Sequence, residues 1–474
     1  MAARTRTLAL AVLFLAGACH DATPAPPPPL DRFYFPTSIA LRHPGGCTPT
    51  PGTPGCTQLL VASSNFDLRY DPASGGTVIA VDVESALKAS PPGTLTGAIL
   101  GAARVGSFTG ELAVLDGETC AGVSPSQVLV TSRSQNALYR LELDVNGVSG
   151  ALGCGDGCKV PLESTLADPY GVTLACGTFP AAPPNDGKSA KLQQLAFISY
   201  LRAPNGVGWL SRLDLAPGGA RSQVNVGFDP IATAAFDPGS NLLFTTARFG
   251  TLGNAPLRAY SLAAPEVQPI SVNLFDAIRG AELTGMALSS DGQRAYVTLR
   301  IYDADLAIAL GARPASDLAA ALAVIDLPQF LAGAPAARTL LRVVPVDRGA
   351  SEVRVLHRDG TRDHLVALAS PDEGSVTLYD DETGTVAQVI GACGSNSAVT
   401  YPAPCPPGDP ALGKQPFSLA FESIDATHAR LFVASFDRSW IDVLTIDPTH
   451  PSVPPSAPTN GDPITWQRIG PERP

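Results

Sequence analysis

Leu283-Thr284-Gly285-Met286-Ala287-Leu288-Ser289-Ser290-Asp291-Gly292-Gln293-Arg294-Ala295-Tyr296-Val297-Thr298 is the stretch whose reading decides the fold. Two short apolar runs flank Asp291-Gly292, a pair that tolerates the positive φ angles of a tight hairpin turn. Two more runs follow, Ala321-Leu322-Ala323-Val324-Ile325-Asp326 and Thr339-Leu340-Leu341-Arg342-Val343-Val344. The unit is therefore four short strands, the third ending near an acid.

That unit recurs along the chain. Its second strand reads Leu59–Ser63, Val128–Ser132, Leu195–Ser199, Leu242–Thr246, Ala295–Thr298, Leu365–Ala369 and Leu431–Ser435. A third strand answers each one: Val78–Asp82, Leu138–Glu142, Trp209–Asp214, Leu257–Tyr260, Ala323–Asp326, Val376–Asp380 and Ile441–Leu444. A single four-stranded unit cannot bury both of its faces, so seven of them point to an all-β, seven-bladed β-propeller. A β-sandwich with additional domains is the competing architecture. Copies lie 47 to 70 residues apart, so loops carry the surplus over a minimal blade. The outer strand of the last blade is expected at Ile464–Ile469, with Phe33-Tyr34-Phe35 beside it where the ring must close.

Ser290-Asp291-Gly292-Gln293-Arg294-Ala295-Tyr296-Val297-Thr298 resembles the YVTN-type repeat of lactonase-like and surface-layer propellers. The resemblance covers roughly residues 33–470 and implies the same seven-bladed fold. Some lactonase-like propellers are enzymes, but no catalytic set of theirs can be matched here residue by residue.

Composition agrees with an all-β chain. Glycine and proline number 45 each, and no long amphipathic period suggests helical bundles or alternating βαβ units. The formal net charge is −11, which argues against nucleic-acid binding through the general surface.

The first thirty residues carry an address. Arg4 and Arg6 precede an apolar run, Leu8–Leu15, which ends in Ala16-Gly17-Ala18-Cys19. The run is far short of the roughly 20 residues a membrane-spanning helix needs. The stretch resembles the signal segment of bacterial lipoproteins, which implies a lipid on Cys19 and removal of residues 1–18. One departure is Ala16, where Leu is usual three places before the cysteine. An ordinary secretory signal cleaved near Ala18 is the alternative. His20–Pro29, reading HDATPAPPPP, is expected to form an extended, proline-rich tether within a lipid-anchored linker, 19–32. The propeller would then span 33–470 and leave a short tail at 471–474. The resemblance implies a cell-envelope location. His20, in place of the aspartate associated with inner-membrane retention, favours the outer membrane.

Nine cysteines are present, and assigning Cys19 to lipid leaves eight. Cys47 with Cys56 and Cys393 with Cys405 bracket turn-rich loops, the kind of closure that disulfides stabilise. Cys154 with Cys158 would form a tight disulfide, leaving Cys120 with Cys176. The six histidines make no ligand-spaced cluster, so neither a metal nor a cofactor is expected. The acidic groups Asp372-Glu373 and Asp380-Asp381-Glu382 read as turn residues, with a cation site as the alternative.

One pattern concerns function. An arginine follows the second strand in five units, as Arg133, Arg202, Arg248, Arg300 and Arg438, with Arg69 slightly later in the first and Asp372 in the sixth. In a propeller those loops surround one mouth of the central channel. Arginines there would favour carboxylate or phosphate ligands, and Phe66, Tyr70, Tyr200, Phe249, Tyr302, Phe436 and Trp440 could stack a sugar or a peptide. The alternative is that each arginine pairs with a nearby carboxylate such as Asp67, Asp303 or Asp437. The insertion from Ile301 to Ala320 lies on the same face, with a short helix expected from Asp317 to Ala321.

The resulting expectation is a lipid-anchored, non-catalytic binding or scaffolding module for an envelope protein, peptide or glycan. A lactonase-like or hydrolytic enzyme using the same mouth is the rival reading. A surface-layer or adhesion role is a third. An enzyme needs carboxylates or histidines converging with shifted pKa.

Overall fold

Each repeat folds as an antiparallel sheet whose four strands run in chain order from the channel outward. The computed structural model describes residues 25–89, 93–117, 119–120, 125–179, 191–202, 207–216, 218–228, 231–247, 256–264, 267–274, 281–301, 319–356, 365–391, 412, 415–425, 427–449, 451 and 466–471. The seven first strands are Pro36–Arg42, Thr109–Leu115, Ala167–Phe179, Ile231–Asp237, Ala281–Leu288, Glu352–Val355 and Pro416–Ser423. Each touches the first strand of the next blade, and the last touches the first, so the ring is closed.

The second and third strands fall where the repeat placed them, from Gln58–Ser63 and Gly76–Asp82 in blade 1 to Ala429–Ser435 and Trp440–Ile446 in blade 7. Their apolar runs are continuous because both faces are covered by neighbouring blades. In blade 1, Leu59, Leu60, Val61 and Ala62 are all fully buried, with alternate residues packing into opposite inter-blade cores. Asp82 and Asp326, the acids that end third strands, cap two short helices, Val83–Leu87 and Leu327–Leu331. Each accepts a backbone N–H in the first helical turn, from Ser85 at 2.8 Å and from Gln329 at 3.0 Å. Ala319–Asp326 is strand, so the helix expected from Asp317 does not include residues 319–321; residues 302–318 lie outside the described part.

Ring closure uses no exchanged strand among the described residues. Trp466–Ile469 is the fourth strand of blade 7, as expected, but blade 7 is built wholly from its own end of the chain. Side chains do the joining instead. Phe33 is buried between the two ends against Ile441 and Ile469, and the Phe35 N–H donates to Ser439 Oγ at 3.2 Å. At the opposite rim, Arg430 of blade 7 meets Glu84 of blade 1 at 2.5 Å and Glu422 at 3.4 Å. Thr57 also donates to Glu422, and the Gly52 N–H donates to Glu84 at 2.6 Å.

Among the described residues three disulfides are formed, Cys47–Cys56, Cys120–Cys176 and Cys154–Cys158, with Cα separations of 5.3, 5.6 and 5.3 Å. Cys120–Cys176 ties blade 2 to blade 3. Cys154–Cys158 closes an excursion that splits the outer strand of blade 2 into Leu152–Gly153 and Lys159–Pro161. Cys393, Cys405 and Cys19 lie outside the described residues. The end of the proline run is docked rather than projecting freely. The Asp71 N–H donates to Pro26 O at 3.4 Å, and Arg104 Nη2 donates to Pro28 O at 3.4 Å.

Candidate functional site: the channel mouth and its throat

The start of each first strand and the end of each second strand share one face, here called the top; in blade 1, Pro36 pairs with Ser63. Entry from that face into the channel is a sharp turn. Phe35, Phe108, Asp168 and Gln415 adopt left-handed conformations with φ of 51°, 53°, 58° and 58° at the entry to blades 1, 2, 3 and 7, and Gly349 does so at 79° before blade 6. Non-glycine residues hold this conformation only where surrounding structure enforces it. Next to these turns, the first strands of blades 1 to 5 and of blade 7 each carry a register shift. Such bulges re-aim side chains. Glu111 lies within the one between Thr109 and Leu112.

Two cavities follow the channel axis, about 360 Å³ at the top mouth and about 1190 Å³ below. They meet at Glu111, Thr233, Met286 and Arg354, which line both and so define a throat. The mouth is two-sided. Phe66, Phe108, Phe417 and Phe436 form an apolar wall across blades 7, 1 and 2, with ring centroids 6.0 Å apart for Phe66–Phe108, 5.4 Å for Phe66–Phe436 and 5.4 Å for Phe417–Phe436. Facing it, blades 5 and 6 contribute Thr284, Arg300, Ser351, Glu352, Arg354 and Asp372.

The throat holds opposed charges. Arg354 Nη2 lies 2.6 Å from Glu352 Oε1, both on the first strand of blade 6. Glu111, from blade 2, accepts the Val172 N–H of blade 3 at 3.3 Å. Ser38 and Ser418 make the same inter-blade bond, accepting N–H groups of Leu112 at 2.9 Å and Ile39 at 3.3 Å. Glu111 thus performs a serine's stitching role with a longer, ionisable side chain. Burial, aided by the Glu352 charge, pushes the Glu111 carboxyl up to about 7 against the opposing pull of Arg354. Burial also raises Glu352, with Arg354 opposing.

The arginines expected at the mouth divide. Arg133 and Arg202 both approach Asp168, at 3.5 and 3.0 Å, and Arg438 approaches Asp437 at 4.0 Å. Arg133 lines the mouth cavity, whereas Arg202 projects from the rim, 80 % exposed. Arg300 lines the cavity, and its Nε–H is buried with no hydrogen-bond partner among the described residues. Trp440 is buried, donates to Asp442 at 3.0 Å and has Arg468 stacked 3.8 Å from its ring centre, so its face is already covered. Arg248 and Tyr302 lie outside the described residues. The acidic groups are occupied in turns and cores: Asp380 accepts the Glu382 N–H at 2.9 Å, Asp381 accepts from Tyr296 at 3.1 Å and Tyr379 at 3.2 Å, and Glu373 pairs with Arg348.

Sequence reading found the mouth but missed Glu111, Glu352 and Arg354. The available signal was an ionisable residue directly after Gly110, at a first-strand position where blades 1 and 7 carry serine.

No protein-family model matches the chain, and no curated protein does. Solved structures do. The chain is similar to hydrazine synthase of Kuenenia stuttgartiensis, at 12 % identity and a TM-score of 0.54 over 88 % of this chain and 97 % of that one. It is more loosely similar to the dihydro-heme d1 dehydrogenase NirN in complex with DHE, at 16 % identity and a TM-score of 0.44 over 91 % of this chain and 67 % of that one. At 12 % identity the likeness to hydrazine synthase shows the fold alone.

Proposed function

We propose that this protein is a lipid-anchored propeller of the bacterial envelope that binds a protein, peptide or glycan at its top mouth without transforming it. The YVTN-type kinship suggested by Ser290–Thr298 belongs to this proposal. The observation that carries it is the two-sided mouth, where a phenylalanine wall faces an Arg300 whose Nε–H meets no partner among the described residues. Such a cavity suits a ligand with one apolar face and one carboxylate, phosphate or carbonyl group. Capture from envelope extract by wild-type protein, compared with Arg300→Glu and Phe66→Ser variants, tests the reading. Loss of the same partner from both variants is expected, and identical partner sets would sink it.

A hydrolytic reading has one observation in its favour, the convergence of Glu111 and Glu352 on the throat with raised carboxyls. The two readings separate on Glu111→Gln. A binding module keeps its captured partner, whereas a carboxylate-dependent hydrolase loses turnover while retaining substrate.

A further inference from the structure

We propose that the top face rests against the bilayer that holds the anchor, so that the channel mouth takes its ligand from the membrane side; this rests on the lipid-anchor reading of Cys19. The tether leaves the fold beside blade 1. Pro26 is held by the Asp71 N–H, in the loop between the second and third strands of blade 1. Pro28 is held by Arg104, one residue from the top end of that blade's outer strand. Phe33 and Phe35 then carry the chain over the rim into the first strand. The tether therefore lies on the face that bears the mouth.

Length decides the rest. Six residue steps separate Cys19 from Ala25, a reach of at most about 22 Å when fully extended. A seven-residue strand such as Pro36–Arg42 spans about 23 Å. A tether that starts on the top would be spent in merely drawing level with the bottom loops, so the bottom face cannot rest on the membrane. Top-down seating is within reach.

Surface chemistry favours that seating over an edge-on one. Phe66 and Leu68 are 55 % and 52 % exposed, and they sit on the same loop as Asp71, beside the tether. Among the described residues of the top rim, on a chain of net charge −11, arginines stand beside acids: Arg69 lies 3.6 Å from Asp67 and Arg202 lies 3.0 Å from Asp168. An anionic lipid surface therefore meets less repulsion there than an acidic body would otherwise present. Apolar side chains at the loop tip, next to a short lipid tether, supply the second attachment that a membrane-seated domain needs.

The test uses the full-length lipidated protein in vesicles of phosphatidylethanolamine and phosphatidylglycerol that carry a lipid-borne spin-label quencher. A bimane fluorophore is placed on Leu68→Cys or on Val148→Cys. Val148 is equally apolar and 58 % exposed, but it lies in the loop between the third and outer strands of blade 2, on the bottom. The expected result is loss of at least about half the emission at 68 and almost none at 148, given a separation of about 23 Å between faces. Equal quenching, quenching only at 148, or none at either site would overturn the proposal. Mass spectrometry of the same sample reads the acylation of Cys19 directly, so failure of the anchor is told apart from failure of the orientation.

Discussion

Arg430→Met tests how this ring closes. No strand is exchanged between the ends among the described residues, so the join between blades 7 and 1 depends on side chains. Arg430 is a buried cation at its lower rim, 2.5 Å from Glu84 and 3.4 Å from Glu422, with all three side chains less than one-tenth exposed. Methionine keeps much of the aliphatic volume but removes the guanidinium that Glu84 and Glu422 share, while His43 stays 3.3 Å from Glu422. Removing one partner of a buried pair costs about 3–5 kcal/mol, far more than the net worth of the intact pair, because the remaining charge keeps its desolvation penalty. With an m-value of at least about 3 kcal/mol/M for a chain of this size, the urea midpoint should fall by up to about 1.7 M. Urea unfolding at neutral pH reads the loss. Hydrogen exchange should speed up in Pro36–Arg42 and Pro416–Ser423, while Leu242–Ala247 on the far side stays protected. A variant within about 1 kcal/mol of wild type would refute the reasoning.

Removing the Cys120–Cys176 bridge by a double alanine substitution frees a loop of 56 residues and should cost about 4 kcal/mol by loop-closure entropy, read as a lower thermal midpoint. Glu111→Gln should abolish one component of the pH dependence. A carboxyl raised to about 7 contributes stability that is complete below about pH 4.5 and is lost as pH rises through 7, so wild type minus variant should decline across that window. A flat difference curve would show that Glu111 titrates normally. Gly349→Ala combines a φ of 79° with a Cβ placed 2.5 Å from the Asp372 carboxyl. It should cost about 1–3 kcal/mol and disturb the blade 6 side of the mouth, which chemical denaturation and ligand capture would register together.

The blades were legible because their information is local. Val128–Ser132 or Leu365–Ala369 announces a strand buried on both faces by its own apolar run, and Asp291-Gly292 announces the turn between two such runs. The acids that close third strands were visible too, although their work as helix caps at Asp82 and Asp326 was not. The throat was illegible for the opposite reason. Glu111 and Glu352 lie 241 residues apart in sequence and meet only because blades 2 and 6 both send a first strand into one channel. The local cue at Glu111, an acid after Gly110 where blades 1 and 7 carry serine, acquires its meaning only when the bulge aims the side chain inward and Val172 engages it.

The pairing of the mouth arginines was equally out of reach. Asp168 takes both Arg133 and Arg202, at 3.5 and 3.0 Å, whereas Arg300 keeps a buried Nε–H that meets no partner among the described residues. Composition, repeat and spacing by themselves determined the architecture: seven apolar four-strand units that must stack to bury their faces. Tertiary structure alone decided which charges are neutralised, where Pro26 and Pro28 dock, and where the channel narrows. Burial of a strand follows from its own residues, but the field at a side chain is set by whatever distant segments the closed ring brings within a few ångströms of it.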